Sequence, residues 1–414
     1  MSKETRQEHT PNEMAGIIKD VIQANEVIMK QGNKPIALSV VGPHGIGKTT
    51  VIREVVNELG KDLYKLNFAQ LTEPAELIGH FSKEYQIKKG DDVLWITENM
   101  IPEYYKLGYA RTGVTKSVPC PPEYIVNLKQ DGVLLVDDFS RGNSLLMQAM
   151  MELVEEGSMI GWNLRDKNIS VILSENPEDG EYNVQSVDAA HTSRMAKYHM
   201  RWEAKDWAER AEKIGLDERL INFVLWKPEL LEKKKVDGIS ASGNVSPREM
   251  DKFFALVGTL DDFEKQKDKV VLFGDGTVGK DITADLLNFV SKKLDKLPSI
   301  EKLIREKKSK TDENHWDLST AKAALTECCG DAIKDSNNWR AATSAILSMR
   351  IANYCIHYHR DLSKDEIKRV GELAGHTSFG VDQRYMIVKK LVGLGNTFAM
   401  VLAGNPDFIA AMKQ

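Results

Sequence analysis

At 414 residues the chain is long for one folding unit, so two or three domains with ample sequence for sizeable cores are expected. Hydrophobic residues make up 42% and charged residues 28%, with only 13 Pro and 29 Gly, which excludes collagen-like and mostly disordered classes. Acids outnumber bases 61 to 56, giving a net charge of −5, which argues against a globally basic nucleic-acid coat while leaving room for a local basic patch.

Residues 1–10 are polar and expected to fray, and residues 11–30 carry Met14, Ile17, Ile18, Val21 and Ile28 near the 3.6-residue period of a helix. Gly32-Asn33 stops that helix, and Pro35 introduces the short apolar run Ile36–Val41, a buried-strand pattern. Further strands are expected at 63–68, 132–136 and 169–173. The run Gly132-Val133-Leu134-Leu135-Val136 is continuously apolar, as suits a parallel strand covered on both faces. Helical patterns between them, such as Leu146, Ala149, Met150 and Leu153, point to an α/β layer with a parallel sheet over the first ~200 residues. From about residue 204 the text is mostly helical. Pro228 and the stretch 237–244 interrupt it, and the charged run 301–310 reads as a solvated helix or linker. In the last hundred residues Trp339, Ala342, Ile346, Met349 and Ile356 form an apolar stripe, and Ser363–Glu366 forms a capping box.

The motif Gly42-Pro43-His44-Gly45-Ile46-Gly47-Lys48-Thr49 matches G-x-x-x-x-G-K-[ST] without a mismatch, after a strand and before the helix-competent run 50–59. Glycines let backbone N–H groups close around a phosphate, Lys48 supplies a point charge between the β- and γ-phosphates, and Thr49 offers a hydroxyl to Mg²⁺. Gly42 to Thr50 is therefore the expected nucleotide-phosphate-binding segment. A second match, Gly274–Asp281, ends in Asp where the metal-binding hydroxyl belongs. Although Val270–Phe273 is compatible with a strand, the match reads as a turn before a helix. The strand at 133–136 ends in Asp137-Asp138, the first acid suited to the Mg²⁺ shell and the second to polarising the attacking water.

These motifs, with Ser140-Arg141-Gly142-Asn143 and the helix-like run 145–157 after them, resemble the MoxR-like, dynein-related branch of the AAA+ ATPases. Leu71–Gly79 resembles the entry to that family's helix-2 insert. Ile172–Pro177, with Tyr182-Asn183-Val184 and Asp188, resembles its sensor-1 strand and following loop. Thr192-Ser193-Arg194-Met195 resembles its arginine-finger segment. Trp207-Ala208 and Val245-Ser246-Pro247-Arg248 resemble the lid with its sensor-2 arginine. The resemblance covers residues ~33 to ~295. It implies a P-loop AAA+ core with a parallel sheet at 33–203 behind an N-terminal helix (1–32), a helical lid at 204–298, and beyond it a helical C-terminal domain at 299–414.

By the same resemblance, Asn176 aligns the attacking water, Arg248 touches the γ-phosphate from the lid, and Arg194 reaches the nucleotide of a neighbouring subunit, with Arg141 and Arg201 as rivals. It also implies ATP as the ligand of Gly42 to Thr50, and a homo-oligomeric ring, most often a hexamer, that remodels a protein client, the family often working with von Willebrand factor A domain proteins. Two alternatives stand beside it, a nucleic-acid motor or loader and a nucleotide-gated scaffold. Asp138 departs from the family's Glu and is one methylene shorter, which brings the rate of hydrolysis into question more than nucleotide binding.

Met159, Ile160 and Trp162 belong either to a pore-facing hairpin or to one packed on its own domain. Trp95, Tyr104, Tyr105, Tyr109 and Arg111 suggest a structured insert more than a single-strand-binding surface, because acids are interleaved with the bases. Cys355 and His359 are too few for a tetrahedral metal site. Four cysteines without scaffold spacing, no apolar run of spanning length and a polar N-terminus lead to the expectation of a cytoplasmic protein with no membrane partner.

Overall fold

The computed structural model describes residues 7–177, 193–231, 235–236, 239–240, 245–305, 315–335 and 337–395, with 399–400, 403–404, 406 and 409. The chain divides into two compact units, residues 1–201 and 202–414.

The first unit opens with β1 (Glu8–His9) and α1 (Pro11–Lys30). Thr10 caps α1: its hydroxyl accepts from the Glu13 backbone N–H while the Glu13 carboxylate accepts from that of Thr10, and Pro11 opens the first turn. Next come β2 (Ala37–Val41), α2 (Lys48–Glu58) and β3 (Asp62–Asn67). After the short helix α3 (Pro74–Ile78) the chain leaves the core for a three-stranded antiparallel sheet of β4 (His80–Lys89), β5 (Asp92–Thr97) and β6 (Ala110–Cys120), ordered β5-β4-β6. Ile87 and Ile96 bury one face of this sheet with Ile101 of α4 (Ile101–Lys106), and Tyr104 and Tyr109 pack against them. The insert thus folds around its own small core, and these two tyrosines are structural. His80 pairs with Cys120 at its base.

The short helix α5 (Glu123–Val126) leads to β7 (Gly132–Asp137) and α6 (Ser144–Glu156), the hairpin β8 (Ser158–Met159) and β9 (Trp162–Asn163), then β10 (Ser170–Glu175) and β11 (Met195–Met200). Six strands form one parallel sheet in the order β1-β11-β2-β10-β7-β3 among the described residues. Alternation along β7 shows why its sequence is apolar throughout. Val133 and Leu135 pack with α1 and α2 on one face, and Leu134 and Val136 with α6 on the other. The result is a three-layer α/β core with a parallel sheet between two helical layers.

The hairpin packs on its own domain. Met159 and Trp162 are buried in the α6-side core, and the Trp162 indole N–H donates to Ile78 O at 3.0 Å, so neither presents a pore-facing side chain. Ile160 alone of the three is exposed.

The second unit is mainly helical, with a two-stranded pairing of Lys235–Val236 and Ile239–Ser240. One core gathers Phe223, Phe253, Phe254, Phe263 and Phe289, and another gathers Leu303, Leu325, Leu347, Ile351, Leu373 and Ile387. Val270–Phe273 lies inside the helix Lys267–Asp275, and Gly279 begins the next helix. The second glycine-lysine match is therefore a helix–turn–helix connection without the strand that a phosphate loop requires. The start of the charged run differs from a solvated segment. In the helix Ile300–Ile304 the residues Ile300, Leu303 and Ile304 are fully buried, because its charged positions share one face only; residues 306–310 lie outside the described ones. The capping box at Ser363 and Glu366 opens the helix Lys364–Ala374. Cys355 is buried in the second core, and His359 Nδ1 lies 2.9 Å from Ile356 O. Among the described residues no helix is long and apolar enough to cross a membrane.

Candidate nucleotide site

Parallel pairing puts the carboxyl ends of β2, β10 and β7 side by side, and crevices at such strand ends are where open α/β sheets receive ligands. β10 is threaded between the other two: Glu175 pairs with Val41, and Leu173 with Val136. The loop 42–47, Asn176 and the acids 137–138 therefore meet at one edge.

The loop is shaped by backbone necessity. Gly45 and Gly47 have φ of +76° and +92°, a region that L side chains avoid. At Gly42 a Cβ would lie 2.7 Å from Met200 O, so only glycine lets the loop leave β2 against β11. Pro43 and Ile46 line the turn, Ile46 being buried, while His44 and Thr50 are exposed. Lys48 and Thr49 start α2, whose first N–H groups face the loop.

Lys48 is buried, and its ammonium donates to Gly42 O at 2.7 Å, Pro43 O at 2.9 Å and Asn176 Oδ1 at 3.2 Å. Thr49 Oγ1 lies 3.2 Å from Asp137 Oδ1. Lys65 of β3 contributes a contact not anticipated from sequence: its Nζ lies 2.6 Å from Asp137 Oδ2. Partial burial pushes the Asp137 carboxyl up, but Lys65, Ser174 and Thr49 outweigh it and hold it below the ordinary carboxylate range. Asp138 adopts a left-handed conformation, φ 55°, uncommon outside glycine and often found at functional sites. Asn176 is buried, its N–H donates to Ser140 Oγ at 3.2 Å, and its Nδ2 has no hydrogen-bond partner among the described residues.

A buried ammonium beside a partnerless buried amide donor suits an anion. A hydroxyl and a carboxylate oxygen in contact are hard donors of the kind Mg²⁺ takes. The residues present therefore fit a nucleotide phosphate with Mg²⁺, and Thr49 Oγ1 and the Asp137 carboxylate are the donors that would hold the metal.

Glu175 is the other residue that sequence reasoning missed. It is 1% exposed, accepts from Ser39 Oγ, and lies 3.0 Å from Lys197 Nζ of β11, while its carbonyl accepts from Gly42 N–H at 3.1 Å. A charged residue closing an apolar strand just before Asn176 was the available signal.

Arg194 stands apart from this cluster. It precedes Met195, which pairs with Ala37 at the start of β2, whereas the phosphate loop follows Val41 at its end, about 13 Å of strand farther on. Its Nε lies 2.6 Å from Glu155 Oε2 of α6. Arg201 follows β11, its N–H donating to His9 O at 2.9 Å. Arg248 belongs to the second unit, exposed in the first turn of the helix Pro247–Val257, whose cap is Ser246 with Glu249. Tyr182, Val184, Asp188 and Thr192 lie outside the described residues.

Residues 38–99, which include the strand and loop just described, match the family model described as "ATPase family associated with various cellular activities (AAA)". No curated protein matches the chain. Among solved structures it is similar to the Thermotoga maritima RuvB Holliday junction branch migration motor, at 13% identity and a TM-score of 0.33, over 75% of this chain and 80% of that one. A point mutant of RuvB from the same organism gives 13% identity and a TM-score of 0.34, over 79% of this chain and 86% of that one.

Proposed function

We propose that the chain binds ATP with Mg²⁺ at the loop 42–50 and hydrolyses it, as a ring-forming, MoxR-like AAA+ remodeller of a protein client, with a von Willebrand factor A domain protein as the implied class of partner. The supporting observation is the convergence of Lys48, Thr49, Asp137 and Asn176 on one edge of the sheet, within 3.2 Å of one another pairwise through Lys48–Asn176 and Thr49–Asp137.

Each residue has a physical task. Lys48 exchanges its two backbone carbonyl acceptors for phosphate oxygens, as a mobile point charge can. The N–H groups opening α2 bind the phosphates. Mg²⁺, when bound, supplies charge neutralisation at the β- and γ-oxygens. Asn176 directs its amide donor at the γ-phosphate or the attacking water. Asp138 takes the proton from that water, directly or through a second water, since its carboxylate is withdrawn relative to a glutamate. Arg194 sits at the sheet edge opposite its own loop, so it serves only a neighbour's nucleotide, and catalysis then requires assembly. Arg248 acts from the lid on the γ-phosphate.

The short Asp138 favours one second reading, a scaffold in which ATP drives assembly with negligible turnover. Steady-state ATPase activity across a protein concentration series separates the two, with light scattering with and without ATP and with Asp138→Ala and Arg194→Ala in parallel. Turnover that rises with concentration and disappears in both variants supports the ring ATPase. Assembly on ATP without turnover supports the scaffold, and absence of ATP binding overturns both.

A further inference from the structure

The contact between Lys65 and Asp137 has no place in the mechanism above, and its chemistry points to the metal. β3 is the edge strand of the sheet, pairing only with β7 among the described residues. Lys65 stands opposite Leu135, two positions before Asp137 on the partner strand, and its long stem carries the ammonium forward to Asp137 Oδ2 at 2.6 Å. Both carboxylate oxygens are engaged, Oδ1 by the Thr49 hydroxyl and Oδ2 by Lys65. These are the oxygens that a divalent cation would take. A lysine ammonium and a cation competing for one carboxylate repel each other as well. The two ends of the pair differ in exposure, Asp137 14% and Lys65 42% by side chain, so the lysine has an open path to solvent while the carboxylate does not.

We propose that Lys65 is a tethered stand-in for the divalent cation: it neutralises Asp137 in the metal-free site and must release it on metal entry, so it sets how strongly nucleotide binding depends on Mg²⁺. The inference rests on the ATP–Mg²⁺ reading of this site. Two effects of opposite sign follow from it. With Lys65 in place, Asp137 does not repel an incoming metal-free triphosphate, so nucleotide binding without metal is favoured. The same lysine competes with the metal, so the concentration of Mg²⁺ needed to tighten binding is raised. Substitution by an apolar side chain of similar length reverses both. Arginine keeps the charge and the reach, and retains both.

The test is the dissociation constant of a fluorescent ATP analogue in EDTA and across a Mg²⁺ titration, for the unaltered chain, Lys65→Met and Lys65→Arg. A titration of the nucleotide-free proteins with Mn²⁺, read by electron paramagnetic resonance, accompanies it. Lys65→Met is expected to weaken binding in EDTA about fivefold to tenfold, to lower the half-saturating Mg²⁺ by a similar factor and to tighten Mn²⁺ binding, the scale of one half-exposed ion pair. Lys65→Arg is expected to stay within about twofold of the unaltered chain. A Lys65→Met protein with intact thermal unfolding and both constants unchanged overturns the proposal while leaving the nucleotide site standing. Lys48→Ala separates the cases. If it binds the analogue as well as the unaltered chain does, the site reading itself fails, and the proposal with it.

Discussion

Lys197 Nζ lies 3.0 Å from Glu175 Oε2 beneath the phosphate loop, joining β11 to β10 through a carboxylate that also accepts from Ser39 of β2. Three adjacent strands are thus tied by one buried charge, and the same residue's carbonyl holds the N–H of Gly42. Removing one partner strands the other: Lys197→Met leaves a carboxylate unpaired in the core, a loss of about 3–5 kcal/mol. The paired substitution Lys197→Met with Glu175→Gln is expected to recover most of it. Urea unfolding of the single and double variants checks this, and equal losses in both would show that the pair is not the cause.

Trp162 carries a second prediction. Its ring is 8% exposed and its N–H bonds Ile78 O, so Trp162→Ala should destabilise the first unit by about 3–5 kcal/mol. Ile160→Ala, at an exposed site, should change stability by less than about 0.5 kcal/mol. Thermal unfolding of the two variants side by side distinguishes a core hairpin from one kept for contact with a client.

In the second unit Arg350 is 0% exposed and forks onto Glu212, with Oε1 at 2.7 Å from Nη2 and Oε2 at 3.0 Å from Nε, while Glu218 Oε2 lies 2.9 Å from Nη2. It ties the helix Ala341–Tyr358 to the helices Ala204–Lys213 and Glu218–Trp226. Arg350→Met is expected to cost about 3–5 kcal/mol, because Glu212 is left buried without its partner. Arg350→Lys should recover only part, since an ammonium lacks the bidentate fork. Chemical denaturation with a probe in the second unit measures both.

His357 predicts a pH dependence. Burial lowers its pKa, against the raising influence of Glu209, whose carbonyl oxygen lies 2.9 Å from Nε2. The neutral ring is the folded form, while the unfolded chain takes up a proton near pH 6.5. Stability is therefore full above about pH 6.5 and falls as pH drops from there through the lower folded-state pKa. Melting temperatures between pH 8 and 5 should show a slope that His357→Gln flattens. A slope unchanged in that variant would assign the effect elsewhere.

Much of the core was legible because its signals are local. The glycine spacing of 42–49, the unbroken apolar run at 133–136 and the acids after it need no partner to be read. Lys65 was not legible because its meaning is a neighbour on another strand: it is an ordinary edge-strand lysine until register brings it to Asp137. Trp162 stayed open for the same reason, since an aromatic in a hairpin reads alike whether it faces outward or inward. Val270–Phe273 is compatible with a strand because four apolar residues carry no period; the structure places them inside the helix Lys267–Asp275.

The base of the insert has a consequence for how this chain can vary. Gly79, at φ +100° with Cys120 O only 2.2 Å from where its Cβ would sit, and the facing pair His80 and Cys120 bring the chain out of the core and back into it through a single gap. The segment between them has its own small core and enters and leaves at one place, so a change of length near its β4–β5 turn is expected to leave the strands that carry the phosphate loop and the acids in register, whereas Pro119, packed against Gly161 of the hairpin, ties the end of β6 to the domain beneath.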